Sequence, residues 1–92
     1  MNELFRTVEI AYSGDDGTTT HVLYARVGEG QYEMLLNPND LAAPPDQVVM
    51  SVYAQLTPTG DVGPRVIRLS WVTSVKLWEP PVDCGFAREG WL

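Results

Sequence analysis

Between Val48 and Thr57 the chain alternates with a period of two residues. Val48, Met50, Val52, Ala54 and Leu56 are apolar and share one parity. Ser51, Gln55 and Thr57 take the other, together with Val49 and Tyr53. Side chains point to opposite faces of a strand at successive residues, so this period predicts an extended segment with one face on a core. Its unbroken apolar parity marks it as a central strand. A longer run, Arg65 to Trp78, repeats the pattern. Ile67, Leu69, Trp71, Val75 and Leu77 oppose Arg68, Ser70, Ser74 and Lys76, which places Trp71 on the core face. A straight strand of that length would reach about 46 Å, beyond the usual range. A bend is therefore expected at Ser70-Trp71-Val72-Thr73-Ser74, as a bulge or a single 3₁₀ turn.

Three further runs precede these. In Leu4 to Ser13, Leu4, Val8, Ile10 and Tyr12 share a parity with Arg6, while Glu3, Thr7 and Glu9 share the other with Phe5 and Ala11. Gly14-Asp15-Asp16-Gly17 reads as a hairpin turn, because Asp and Gly tolerate the backbone that tight turns need. Thr18 to Val27 is rich in threonine, which favours strand over helix. Gly28-Glu29-Gly30 reads as a turn, and Gln31 to Leu36 as a third strand with Tyr32, Met34 and Leu36 alternating. Asn37 to Pro45 is expected to be a loop with at most one helical turn near 40–43, capped by Asn39 or Asp40 and ended by Pro44-Pro45. Pro58 to Pro64 is a long turn. The expected fold is all-β: a five-stranded antiparallel meander, either a small, partly open barrel of SH3-like type or a curled sheet.

Residues 1–81 form a single β domain in this reading, and 82–92 an apolar C-terminal tail. Glu79-Pro80-Pro81 stops the sheet. The tail carries Phe86, Trp91 and Leu92, too apolar for a solvated extension. It is expected to dock on its own sheet or on a second copy.

Hydrophobic residues make up 45% of the chain and charged residues 20%, a globular balance. The net charge is −6, and no two of the six bases are adjacent. Direct nucleic-acid binding needs a basic footprint, and anionic membranes attract basic segments, so neither partner is expected. No apolar run approaches the ~20 residues of a membrane span. The first residues, Met-Asn-Glu-Leu-Phe-Arg, lack a basic stretch followed by an apolar one, so no signal peptide is read. One cysteine allows no internal disulfide and fits a reducing compartment, so a cytoplasmic location is expected.

No residue pattern carries recognisable chemistry. His21 has no local partner in its threonine-rich strand. Cys84 has Asp83 beside it, which disfavours a thiolate. One His and one Cys cannot build a His/Cys zinc site. Asp15-Asp16 lacks the further ligands of a calcium loop. Glu9 and Glu33 could face one another across strands, but nothing singles them out. Gly28-Glu29-Gly30 and Thr59 to Gly63 lack the Lys-Ser/Thr and following helix of a phosphate loop. No catalytic, cofactor or metal residue is assigned, and no enzyme is expected.

The aromatic residues say more. Trp71, Trp78 and Trp91 are many for 92 residues. Tryptophan buries a large area and carries one donor, which suits it to contacts between proteins. Trp78, Phe86, Trp91 and Leu92 are therefore the candidate partner-binding residues. The leading expectation is a non-catalytic protein-binding or assembly module, with a protein partner or a homodimer formed through a sheet edge or the tail. The alternative is an acidic inhibitor that occupies a basic nucleic-acid-binding surface of another protein. A third reading is a small-ligand barrel lined by Tyr12, His21, Tyr24 and Tyr53.

Overall fold

The alternation between Val48 and Thr57 becomes strand β3, Val49–Gln55, in which Met50, Val52 and Ala54 are buried while Val49, Ser51 and Tyr53 are exposed. The structure is a computed structural model that describes residues 5–14 and 17–91. Strands β1 (Phe5–Ser13) and β2 (Thr20–Gly28) pair antiparallel along their whole length, from Phe5 opposite Gly28 to Ser13 opposite Thr20. Between them, the Gly17 N–H donates to the Gly14 carbonyl at 3.0 Å, with Gly17 at a φ of 68° that glycine adopts without strain. Asp15 and Asp16, read as the centre of this turn, lie outside the described residues.

Strand β3 pairs with β2 through Tyr24–Gln55, Ala25–Ala54 and Arg26–Tyr53. Strand β4, Gly63–Arg68, forms a hairpin with β3, and β5, Val72–Leu77, pairs with β1. The result is an open five-stranded antiparallel sheet in the order β4-β3-β2-β1-β5. Neither a closed barrel nor a simple meander is formed. The chain leaves one edge as β4 and returns at the other as β5.

A 3₁₀ turn at Leu69–Trp71 makes that passage. Four strand spacings of about 4.8 Å would hold the edges of a flat sheet about 19 Å apart. The short link from Arg68 to Val72 spans less than about 14 Å even when extended. The sheet must therefore curl at this end. Leu69 is buried at the corner, and its N–H donates to the Val48 carbonyl at 2.9 Å. The predicted bend is thus present, one residue earlier than expected. A bulge follows: Ala11 faces Ser74 but Tyr12 faces Val72. Thr73 is the extra residue, and its hydroxyl donates to the Ala11 carbonyl at 3.0 Å. The bend moves Trp71 off the core face. It is half-buried, with the Arg68 guanidinium 5.6 Å from its ring centre.

The run Gln31–Leu36 is a correction. It is not a strand but part of helix α1, Glu29–Leu36. Gly28 is its N-cap, and the Gly28 N–H donates to Gln31 Oε1 at 3.0 Å. Gln31 Nε2 donates in turn to the Ser51 carbonyl at 2.9 Å. That carbonyl lies beyond the last β2–β3 pair, so the Gln31 side chain continues the contact between the two strands where the ladder has ended. Gln31→Ala removes both bonds and is expected to cost about 1–2 kcal/mol, read as a lower denaturant midpoint at unchanged slope. The single helical turn expected near 40–43 is also displaced. Instead, 3₁₀ turns occupy Pro38–Asp40 and Pro45–Gln47, each opened by a proline whose fixed φ suits a first position.

One face of the sheet carries the main core. Val8, Ile10, Leu23, Ala25, Val27, Met50, Val52, Ala54, Ile67 and Leu69 are buried there, closed over by Leu35 of α1 with Tyr32, Met34 and Leu41 packed around it.

Candidate functional site

The other face of the sheet is only partly covered. Register places Thr7 and Glu9 of β1, Tyr24 and Arg26 of β2, Tyr53 and Gln55 of β3, and Val66 and Arg68 of β4 on it. Residues 79–91 return across one corner. Cys84 and Phe86 are fully buried, and beneath them Gln55 is the one fully buried polar side chain among the described residues. Gln55 Nε2 donates to the carbonyls of Thr57 and Pro58 at 2.8 and 2.6 Å, which fixes the start of the β3–β4 connection. Its Oε1 accepts no hydrogen bond. Arg88 straps the tail to the same connection. Its guanidinium donates to the carbonyls of Asp83, Thr59 and Gly60 and lies 3.5 Å from Asp61 Oδ1.

The tail is a short helix with both ends capped. Helix α2 spans Gly85–Arg88, and Cys84 Sγ accepts from the Ala87 N–H at 3.4 Å. At the other end, the Gly90 N–H donates to Ala87 and the Trp91 N–H to Phe86, with Gly90 at a φ of 78°. This is a Schellman ending, which needs a left-handed residue at Gly90 and brings the next side chain back onto the helix. That side chain is Trp91. It stacks on Phe86 at 5.9 Å and meets Tyr53 edge-on at 5.0 Å.

Phe5, Arg26, Tyr53 and Trp91 then line an open groove of about 380 Å³. Phe5 and Tyr53 are each a little over half exposed. The Arg26 guanidinium sits 5.0 Å from the centre of the Phe5 ring. Past Phe5 the surface continues into a second hollow lined by Thr7, Leu77, Trp78 and Glu79. Trp78 rests on Tyr24 with ring centres 4.6 Å apart. Among the described residues three other bases are in ion pairs: Arg6 with Glu29 at 3.3 Å, Lys76 with Glu9 at 2.9 Å and Arg88 with Asp61 at 3.5 Å. The bond from Lys76 to Glu9 raises the lysine above its ordinary range. Arg26, like Arg65 and Arg68, has no carboxylate within ion-pairing distance among the described residues, and of these three only Arg26 lines the groove.

The residues singled out in the sequence are dispersed. His21 is exposed, with its ring 5.4 Å from Tyr12. Glu9 is held by Lys76, whereas Glu33 is exposed on α1. Cys84 is a buried cap. The four residues of the barrel reading do not converge. Tyr12 and His21 pair across β1 and β2 on the core-face parity, whereas Tyr24 and Tyr53 belong to the opposite face. Of the four candidate contact residues, Trp91 lines the groove and Trp78 the adjoining hollow. Phe86 lies beneath Trp91 and presents no surface in this arrangement. Leu92 lies outside the described residues. Sequence reasoning did not single out Phe5 or Arg26, and it named Tyr53 only for the barrel reading, not as a contact residue. The available signal was parity: Phe5 and Tyr53 are large apolar residues on otherwise polar faces.

Among the described residues no group of three His, Cys, Asp or Glu is placed to hold a metal, and no helix is long and apolar enough to cross a membrane. Compared with known proteins, the chain matches no family model, and no curated protein or solved structure is significantly similar to it.

Proposed function

We propose that this chain is a non-catalytic protein-binding module whose contact surface is the groove between Phe5, Arg26, Tyr53 and Trp91. One observation carries the reading: a capped, strapped tail holds Trp91 against Tyr53 beside Arg26, which has no carboxylate partner among the described residues. Tryptophan, tyrosine and arginine are the residues that dominate binding energy in protein contacts. Their ordering cost is met within the folded chain, which favours affinity. The buried thiol and the acidic composition fit a reducing, cytoplasmic setting.

The reading as an acidic inhibitor has a narrower footing. Residues 29–47 carry Glu29, Glu33, Asp40 and Asp46 and no base, but Glu29 is neutralised by Arg6. The groove, not this stretch, brings together large side chains suited to a contact.

A display library of random peptides tests the proposal. The native chain should enrich a recurrent motif, and both Trp91→Ala and Tyr53→Ala should lose it while melting near the native temperature. Absence of enrichment, or the same motif on the Trp91→Ala chain, would refute the groove as the contact surface.

A further inference from the structure

We infer that the groove takes a peptide segment in which an acidic residue adjoins an aromatic or aliphatic one, with the carboxylate on Arg26 and the apolar side chain against Phe5, Tyr53 and Trp91. This rests on the groove being the contact surface and names the chemistry of its occupant.

Arg26 is the basis. It stands on β2 at the middle of the sheet, with Thr7 in register on one side and Tyr53 on the other. Its stem is held by two neighbouring strands and its guanidinium by the Phe5 ring. An arginine so placed loses little freedom when it forms a bidentate pair with a carboxylate. It is half-buried, and a charge pair formed there is less screened than one in open water.

The neighbouring charges select the same partner. Three aromatic rings could otherwise form a cage for an ammonium group. Here the cation position over Phe5 is already filled by Arg26, so a second cation meets like charge. The acid nearest on the strand face, Glu9, is engaged by Lys76 at 2.9 Å. Glu79 lies at the far hollow, beside Trp78. Arg6 lines that hollow too, but its charge is paired with Glu29, so the cation open to a carboxylate is Arg26, at the Trp91 end. Stacked bases with a phosphate on Arg26 are the competing occupant. A nucleic-acid strand presents a regular ladder of charges and needs several cations, whereas the chain as a whole carries −6. The one arginine that lines the groove matches one carboxylate.

The test uses a short fluorescein-labelled peptide with two Phe-Asp pairs, its Phe-Asn and Phe-Lys analogues, and an oligothymidylate, each titrated by fluorescence anisotropy. The Phe-Asp peptide should bind the native chain about tenfold or more tightly than the Phe-Asn analogue, the gain of a charge-assisted bond. Arg26→Gln should erase that preference, and added salt should weaken the Phe-Asp complex alone. Equal binding of the Asp and Asn peptides overturns the inference. So does a preference that survives Arg26→Gln, tighter binding of the Lys peptide or the oligothymidylate, or no binding of any peptide at millimolar concentration. Trp91→Ala separates the two levels. Equal Asp and Asn binding that Trp91→Ala abolishes removes the acidic occupant and leaves the groove, whereas binding indifferent to Trp91→Ala removes the groove as well.

Discussion

Replacing Phe86 with alanine should destabilise the domain by about 3–5 kcal/mol, the usual cost of deleting a buried aromatic ring. In a domain of this size that corresponds to a fall in Tm of roughly 12 °C or more. The size of the effect follows from position. Phe86 is fully buried on the second face of the sheet, stacked under Trp91. Its loss empties the small core that the tail forms with Gln55 and Cys84, and it leaves the Gln55 amide partly uncovered. A second readout is independent of the melt. Arg88 is engaged with the carbonyls of Thr59 and Gly60, so trypsin reaches it poorly in the native chain. Phe86→Ala should speed cleavage after Arg88 well before global unfolding. A change below about 1 kcal/mol with unchanged cleavage would mean that the tail does not dock on its own sheet in solution.

Gly85→Ala is expected to destabilise by about 1–3 kcal/mol, the cost of overpacking. The sign is informative because helix propensity predicts the reverse. Alanine is favoured over glycine in a helix by about 1 kcal/mol, and Gly85 opens α2 at a backbone any residue accepts. Space decides the outcome. A Cβ at Gly85 would overlap the Gly60 carbonyl and stand 2.8 Å from both Gln55 Oε1 and Val62 Cγ2. The first of these is backbone, held by the Arg88 strap, and cannot swing away as a side chain would. The tail must lift, and Trp91 with it. A variant as stable as the native chain in a denaturant titration would show that the tail and the β3–β4 connection are not in close contact.

The strands were legible where alternation ran long enough to count. Met50, Val52 and Ala54 are buried as their parity predicts, and so are Val8 and Ile10. Leu56 shares the parity of Met50 but is half exposed, because β3 ends at Gln55. The helix was missed because its apolar run is short. Tyr32, Met34 and Leu36 satisfy a period of two, while Tyr32 and Leu35 satisfy a helical one. Leu35 is the buried residue and Leu36 the half-exposed one, so the helical period won. The local bond from Gly28 to Gln31 and the tertiary bond to Ser51 decided between them.

The groove was less legible than the fold. Gln55 reads as a solvent-facing residue of β3 and is fully buried, because a segment thirty residues later covers it. Arg26 reads as an ordinary wet-face charge. Its setting depends on Phe5, Tyr53 and Trp91, which come from two other strands and the tail. Alternation assigns faces, but it does not say which faces meet across the sheet. The order of strands has the same origin: nothing local to Val72–Leu77 indicates that it returns to β1 rather than staying beside β4.

That return has a kinetic consequence. Val8 pairs with Leu77 from far along the sequence, whereas the β1–β2 and β3–β4 hairpins join near neighbours, so loop-closure entropy favours the hairpins first and leaves one side of β1 to be filled later. Distant pairing of this kind puts closure on the millisecond-to-second scale rather than in microseconds. During that interval an unfilled strand edge faces other molecules, and such an edge is a template for misassembly. The corner at Leu69–Trp71 shortens the wait: once β4 is seated it delivers β5 to within a few residues of its destination, turning a diffusive search into a local one.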